Sequence, residues 1–110
     1  MLRSAMSAAA SNLLRALLAR AKVPRDRILL TDVQSVDWQS LTFVGERHHF
    51  DLRVAPPDSR QVVERLCDGL ENAEFSFRGM FVADITVVGA PARADDGSTS
   101  ISIEALTIEE

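Results

Sequence analysis

The order of hydrophobic patterns along the chain constrains the fold more than any single motif. A helical pattern comes first, two alternating patterns follow, and a second helical pattern precedes two further alternating ones. Alternation with a period of two indicates strands, whereas a period near 3.6 indicates amphipathic helices. The αββαββ order therefore predicts an α+β fold, with a four-stranded antiparallel sheet and two helices on one of its faces.

This order is a circular permutation of the ferredoxin-like βαββαβ order. The comparison concerns architecture alone, because a fold does not specify a function. Two other arrangements stay open at this point. In one, a strongly bent sheet packs around a single long helix. In the other, the first helix leaves the domain and packs on a partner.

The first helix is expected over residues 4–22, and Pro24 ends it because proline disfavours helical geometry in the residue before it. Its apolar positions recur every three or four residues and form one stripe. The members of this stripe are Met6, Ala10, Leu13, Leu14, Leu17, Leu18 and Ala21.

Charge divides the chain into two unequal parts. Residues 1–27 contain six basic side chains and one acidic side chain, whereas residues 28–110 contain six arginines and fifteen carboxylates. The net charge of the whole chain is −4. We expect a single domain over residues 1–110, in which a basic amphipathic helix (1–24) could form a semi-independent unit beside an acidic α+β body (25–110).

Composition limits the classes of partner. Nucleic acid is not expected, because phosphate contacts require clustered cations and the body is acidic. No stretch reaches the roughly 18 apolar residues of a transmembrane segment, and contact of the first helix with a membrane surface is a minor alternative. Cys67 is the only cysteine, which excludes an internal disulfide and favours a cytoplasmic location.

The first strand pair is expected to be a hairpin. A two-residue loop at Gly45 and Glu46 would pair Leu41 with Phe50 and would place Phe43 on the buried face. A slip in the alternation predicts a bulge over residues 30–33. A similar slip at Leu106 and Ile108 predicts another bulge in the last strand.

The second helix is expected to start after Pro57. Asp58 would cap its first amides, with Gln61 completing a pair similar to a capping box. The third strand is expected over residues 75–87, followed by a long loop over residues 89–98 that contains a turn at Asp96.

His48 and His49 are the only histidines, and they are adjacent. Neighbours on a strand point to opposite faces, so they are not expected to ligate one metal ion. We expect His48 near the edge of the core and His49 on the outer face, where Asp51 shares its phase. Cys67 lies on an apolar helical stripe and is expected to be a packed thiol.

The outer face of the sheet holds the residues most suggestive of a site. Asp84 lies within an apolar strand, and Arg53 shares the outward phase and could pair with an acid across the sheet. Trp38 adds an aromatic surface that suits a contact with another chain. The candidate ligand-binding residues are Trp38, His49, Arg53 and Asp84.

Three classes of function follow. The preferred one is a non-catalytic module that self-associates or binds another protein through the sheet face, an edge strand or the first helix. The second is a small-ligand binding domain with a cleft between sheet and helices. The third, ranked last, is a small enzyme that uses His49, Asp51 and Asp84. No catalytic, metal or cofactor motif is present, so no metal and no cofactor are expected.

Overall fold

The computed structural model describes residues 6–110, and over that range it contains two α-helices and four strands in the predicted order. The helices are α1 (Ala8–Ala21) and α2 (Ser59–Cys67), and the strands are β1 (Ile28–Gln39), β2 (Val44–Val54), β3 (Met80–Arg93) and β4 (Thr99–Glu109). The strands form one antiparallel sheet in the order β1-β2-β4-β3. The predicted α+β class, with a four-stranded antiparallel sheet and two helices, is confirmed.

Alternation along the strands gives the sheet two different faces. One face, here called the helix face, carries Phe50, Leu52 and Val54 of β2, and these side chains are buried. They belong to one core cluster with residues of both helices, among them Leu13 and Leu66. The opposite face, which carries His49, is called the open face. Because its apolar stripe lies in this core, α1 packs within its own chain.

Local signals define the ends of α1. The hydroxyl of Ser7 accepts a hydrogen bond from the backbone N–H of Ala10 at 3.1 Å, and this cap starts the helix at Ala8. Lys22 ends it in the left-handed conformation with a φ of 57°, ahead of Pro24. The helical positions predicted before residue 6 lie outside the described residues.

The predicted β1–β2 turn was wrong in position. Gln39 pairs with Val44, and the backbone N–H of Ser40 donates to the carbonyl of Phe43 at 2.8 Å, which closes the turn. Leu41, predicted to be buried, lies at the tip and is fully exposed. Phe43 is also exposed instead of facing the core.

Gly45 explains this error, because it serves packing and not a turn. A Cβ atom at Gly45 would lie 1.9 Å from the carbonyl oxygen of Thr107 in β4. The two central strands therefore approach each other more closely here than any side chain would permit. Sequence alone does not separate a turn glycine from a packing glycine.

The irregularities of the sheet were predicted in part. The bulge in β1 is confirmed between Leu30 and Asp32. The bulge predicted at Leu106 and Ile108 is not in β4, which pairs with β2 without a shift; the irregularity opposite Leu106 and Thr107 is the extra residue Ala83 of β3. Leu106 and Ile108 are buried although they lie on the open face, so this end of the open face is apolar.

The connections around α2 and β3 also differ from expectation. Asp58 adopts a left-handed conformation and makes no side-chain capping bond to α2. Strand β3 begins at Met80, five residues later than predicted, and continues to Arg93. The stacked rings of Phe75 and Phe77 precede the strand, with centroids 6.1 Å apart. The predicted loop over residues 89–98 is consequently shorter.

Between residues 6 and 110, no helix is both long and apolar enough to cross a bilayer.

Candidate functional site

The antiparallel register aligns residues of the four strands into rows that cross the open face. One row contains Gln34, His49, Glu104 and Thr86, and the next contains Asp32, Asp51, Ser102 and Val88. Neighbouring strands lie about 4.8 Å apart, so side chains within a row are in reach of each other. Polar groups are thus concentrated in the middle of this face.

His49 is held between two carboxylates. Its Nδ1 atom lies 3.0 Å from Oε2 of Glu104, and its Nε2 atom lies 2.8 Å from Oδ1 of Asp51. The hydrogen bond to Glu104 is the main reason that the pKa of His49 is raised, and Asp51 adds to the effect. Protonation allows both ring nitrogens to donate, so this geometry favours the imidazolium form.

Asp51 accepts a further hydrogen bond on the open face. Ser102 donates its hydroxyl to Oδ1 of Asp51 at 2.6 Å, which lowers the pKa of Asp51, and His49 lowers it further. The predicted contact between His49 and Asp51 is therefore present. His49 and Asp51 therefore each favour the charged form of the other.

Asp84 does not join these groups. It is exposed on β3, opposite Leu106, and β4 separates it from β2. Two strand spacings correspond to about 10 Å. The convergence of His49, Asp51 and Asp84 that an enzyme would require is therefore limited to the first two residues.

Trp38 and Arg53 lie in two further rows. Trp38 pairs with Gly45 at the turn end of the sheet and lines a cleft there. Arg53 donates Nε–H to the hydroxyl of Ser98 at 3.0 Å and forms an ion pair with Asp96. The four candidate ligand residues are thus spread over the open face, and their role in binding stays a prediction.

The turn held by Arg53 is organised around Asp96. The side chain and backbone N–H of Ser98 both donate to Oδ1 of Asp96, and with Arg53 they lower the pKa of Asp96 to about 2. The aspartate therefore stays ionised and stabilises the β3–β4 turn. This contact explains Arg53 without a ligand.

Metal binding and thiol chemistry have little support. Within residues 6–110, no three side chains of the metal-ligating types are placed to hold an ion. Burial raises the pKa of the Cys67 thiol, which packs against the core. A thiol with a raised pKa is a poor nucleophile.

His48 lies one residue away but in a different environment. It is buried on the helix face, with its ring 6.0 Å from that of Phe50. Nδ1 lies 2.7 Å from Oγ of Ser35, and Nε2 lies 2.9 Å from Oγ1 of Thr107. Burial lowers the pKa of His48, although Glu46 opposes the effect. The neutral ring therefore joins β1, β2 and β4 as a buried polar link.

The outer edge of β1 leaves backbone groups of the sheet unpaired. Strand β1 lies at one end of the sheet, and no described residue pairs with its outer side. After the bulge, residues 32–39 pair with β2 without interruption and contain no proline, glycine or lysine. We call residues 32–39 the edge segment. Such a regular edge can accept another strand, and Asp32 and Asp37 are the charged residues within it.

The opposite edge, β3, is interrupted. Its register shifts twice, between Val82 and Asp84 and between Val88 and Ala92, and Pro91 lies in the second irregularity. The hydroxyl of Thr86 also donates to a carboxylate oxygen of Glu71 at 3.1 Å. Bulges and proline are the usual devices that prevent strand addition. The sequence shows Pro91, but only the topology shows that the two edges differ.

A groove runs beside β1 on the helix face. Helix α1 packs against α2, and two clefts lie between α1 and β1. The one beside the edge segment has a volume of about 600 Å³ and is lined by Met6 and Val33 together with the polar residues Ser7, Ser35 and Glu46. The helix layer thus leaves a partly apolar surface next to the free edge.

Comparisons with known proteins add no functional assignment. No protein-family model matches the sequence, and no curated protein matches it.

Proposed function

We propose that this chain is a non-catalytic module that self-associates by adding the edge segment of one copy to that of a second copy. The observation that carries the proposal is the difference between the two edges of the sheet. The edge of β3 has two register shifts and Pro91, whereas residues 32–39 of β1 pair regularly and carry only the charges of Asp32 and Asp37. Pairing two copies would give one continuous sheet with closed two-fold symmetry.

The charges of the edge segment permit such pairing. Opposite residues in an antiparallel pair share a face, so the two-fold axis must pass through a residue that faces itself. With Val36 on the axis, Asp37 lies opposite Ser35 and Trp38 lies opposite Gln34. The two Val36 side chains, each 60 % exposed in one chain, then contact each other. No carboxylate faces another within the segment.

The groove beside β1 supplies further apolar area. Strand pairing alone contributes few side-chain contacts, and stable interfaces also require a buried apolar centre. Met6 and Val33 contribute the apolar part of the cleft next to the edge segment, and Val36 adds apolar surface on the open face. A second copy would cover this surface together with the free backbone groups.

The test is the molar mass of the full chain in solution over a series of concentrations. Self-association predicts a mass that rises toward twice 12.1 kDa. Val36→Lys places a charge at the proposed contact and is expected to abolish association. The matched control is Val88→Lys, which changes a 42 % exposed valine on the other edge. A monomer at every concentration, or equal loss in both variants, would contradict the proposal.

A cross-linking experiment locates the axis. In a Cys67→Ala background, Val36→Cys would place two thiols on directly opposed residues, whose Cα atoms are about 4.5–5.5 Å apart. Rapid disulfide formation in this variant supports an axis at Val36. Rapid disulfide formation in a Ser35→Cys variant would instead support an axis at Ser35. If neither forms the dimer faster than Val88→Cys does, the contact does not involve the edge segment.

The same proposal includes a cytoplasmic location and a permuted ferredoxin-like architecture. The lone thiol of Cys67 supports a reducing compartment. The αββαββ order and the antiparallel sheet support the architecture. The partner is a second copy or another protein that offers a free strand.

A second candidate function is the binding of an apolar small molecule. A cleft of about 470 Å³ lies between α1 and the start of β1, and its lining consists of apolar residues, among them Leu14 and Leu18, together with the charged residues Arg25 and Asp26. Its volume is in the range of ligand pockets. Saturable binding of an apolar dye that Leu18→Lys abolishes would favour this function over self-association.

A further inference from the structure

The turn between β1 and β2 carries exposed apolar side chains. We call this turn, residues 40–43, the hairpin tip. Leu41 is fully exposed there, and Phe43 is 49 % exposed. Turns usually consist of polar residues, so two large apolar side chains at one turn are typical of a surface that contacts another molecule.

Hydrogen bonds hold the hairpin tip in one conformation. The backbone N–H of Ser40 donates to the carbonyl of Phe43 at 2.8 Å, and the backbone N–H of Phe43 donates to Oγ of Ser40 at 3.1 Å. None of the four residues is charged. Burial of such a turn removes little conformational freedom and desolvates no charge.

The cleft of about 470 Å³ between α1 and the start of β1 can receive an apolar group. Leu14, Leu18 and Leu30 line it, and all three are only partly buried. Because β1 is the edge strand, the cleft lies on the same side of the sheet as the edge segment. The charged residues of its lining are Arg25 and Asp26, so the lining has no net charge.

The register proposed for self-association brings the hairpin tip of one copy to this cleft of the other. With Val36 on the two-fold axis, Gln39 of one copy lies opposite Val33 of the second copy. The hairpin tip continues for two residues, about 7 Å, in the direction of Leu30 of the second copy. Leu30 is three residues, about 10 Å, from Val33. Each tip therefore lies beside the start of β1 in the other chain.

We infer that the cleft between α1 and β1 is a docking site for the hairpin tip of a second copy, with Leu41 as the apolar anchor. The inference rests on the proposed self-association and adds a second contact to it. Two-fold symmetry forms this contact twice, because each copy has one tip and one cleft. In the dimer the cleft is then occupied by protein and is closed to small molecules.

Replacement of the anchor tests the contact. Leu41→Ser changes a side chain that is fully exposed in one chain, so the fold should be unaffected. Each dimer loses two apolar contacts, and we expect the dissociation constant, measured from molar mass against concentration, to rise at least about tenfold. The matched control is Val88→Ser on the other edge, which should leave the constant unchanged. An unchanged constant for Leu41→Ser would overturn the docking of the tip and leave pairing of the edge segments intact.

Cross-linking between copies tests the position of the tip. Chains with Leu41→Cys and chains with Arg25→Cys, both in a Cys67→Ala background, are mixed in equal amounts and treated with a short bismaleimide. Arg25 lines the cleft and is exposed, so its replacement should not disturb the fold. A covalent dimer is expected in the mixture and not with Leu41→Cys alone, because the two Leu41 residues of a dimer are ten strand positions, about 34 Å, apart.

The outcomes separate this inference from the proposed function. The control mixture contains Leu41→Cys with Arg93→Cys, an exposed position on the other edge, and should give no covalent dimer. A molar mass of a dimer with equal cross-linking in both mixtures would overturn the docking of the tip alone. A monomer at every concentration would overturn the docking and the self-association together.

Discussion

The two adjacent histidines of β2 show how different the faces of this sheet are. His48 is buried beneath the helices, and its nitrogens contact the hydroxyls of Ser35 and Thr107. His49 lies on the open face between the carboxylates of Asp51 and Glu104. The pKa of His48 is lowered and that of His49 is raised.

This difference follows from the geometry of one strand. Consecutive side chains point to opposite faces, so one of two neighbouring residues can be buried while the other is exposed to solvent. A buried ring is best neutral and hydrogen-bonded to neutral partners, because desolvation disfavours its charge. An exposed ring is stabilised in its protonated form by neighbouring carboxylates. The same residue type therefore has a structural role on one face and an electrostatic role on the other.

Replacing each histidine with alanine should give the largest contrast. His48→Ala removes a buried ring and leaves the hydroxyls of Ser35 and Thr107 without their partner, so we expect a loss of about 2–4 kcal/mol in the free energy of unfolding. His49→Ala should cost no more than about 1 kcal/mol, because its contacts are exposed to solvent. Urea denaturation of both variants measures the difference, and similar losses would contradict the assignment of the two faces.

The contributions of the two histidines to stability should change with pH in opposite directions. Because the pKa of His48 is lowered on folding, its contribution is present above the ordinary value of about 6.5 and is lost as the pH falls toward the folded pKa. Because the pKa of His49 is raised, its contribution is present below about 6.5 and is lost as the pH rises through the folded pKa.

Denaturation of His48→Gln and His49→Gln across this pH range tests these signs. Removing His48 should flatten the loss of stability on the acidic side, and removing His49 should flatten the loss on the basic side. NMR titration of the imidazole carbons provides an independent check. Equal pKa values for the two imidazoles would contradict the predicted electrostatic difference between the faces.

Replacing either carboxylate next to His49 should have a smaller effect, namely a shift in the pKa of His49. Glu104→Gln replaces the partner with the largest influence, so it should lower the pKa of His49 more than Asp51→Asn does. Neither change should alter the pKa of His48, because both side chains lie on the other face. NMR titration of the two variants measures the shifts. A larger effect of Asp51→Asn would mean that the hydrogen bond to Glu104 is weak in solution.

Much of the fold could be predicted because periodicity records which face is buried. The αββαββ order, the stripe of α1 and the bulge near Leu30 all appear in the spacing of apolar residues. The contact between His49 and Asp51 was also predictable, since residues two apart on a strand share a face. These inferences require only local geometry.

The remaining features depend on which strands become neighbours. Glu104 is 55 residues from His49, and Thr107 is 59 residues from His48, so neither partner could be inferred before the strand order was known. The edge position of β1 is likewise a property of topology. The phase change at Leu106 predicts a bulge in β4, whereas β4 stays in register with β2 and buries Leu106 and Ile108 on the open face.

Gly45 sets a limit on how this sequence can vary. A methyl group at this position would overlap the backbone of β4, and a backbone atom cannot turn aside as a side chain can. In a library that substitutes every residue, we therefore expect the lowest tolerance at Gly45, ahead of Trp38, His49 or any other candidate ligand residue. Retention of the fold among variants of this sequence would then depend more on the absence of a side chain at Gly45 than on the identity of the candidate ligand residues.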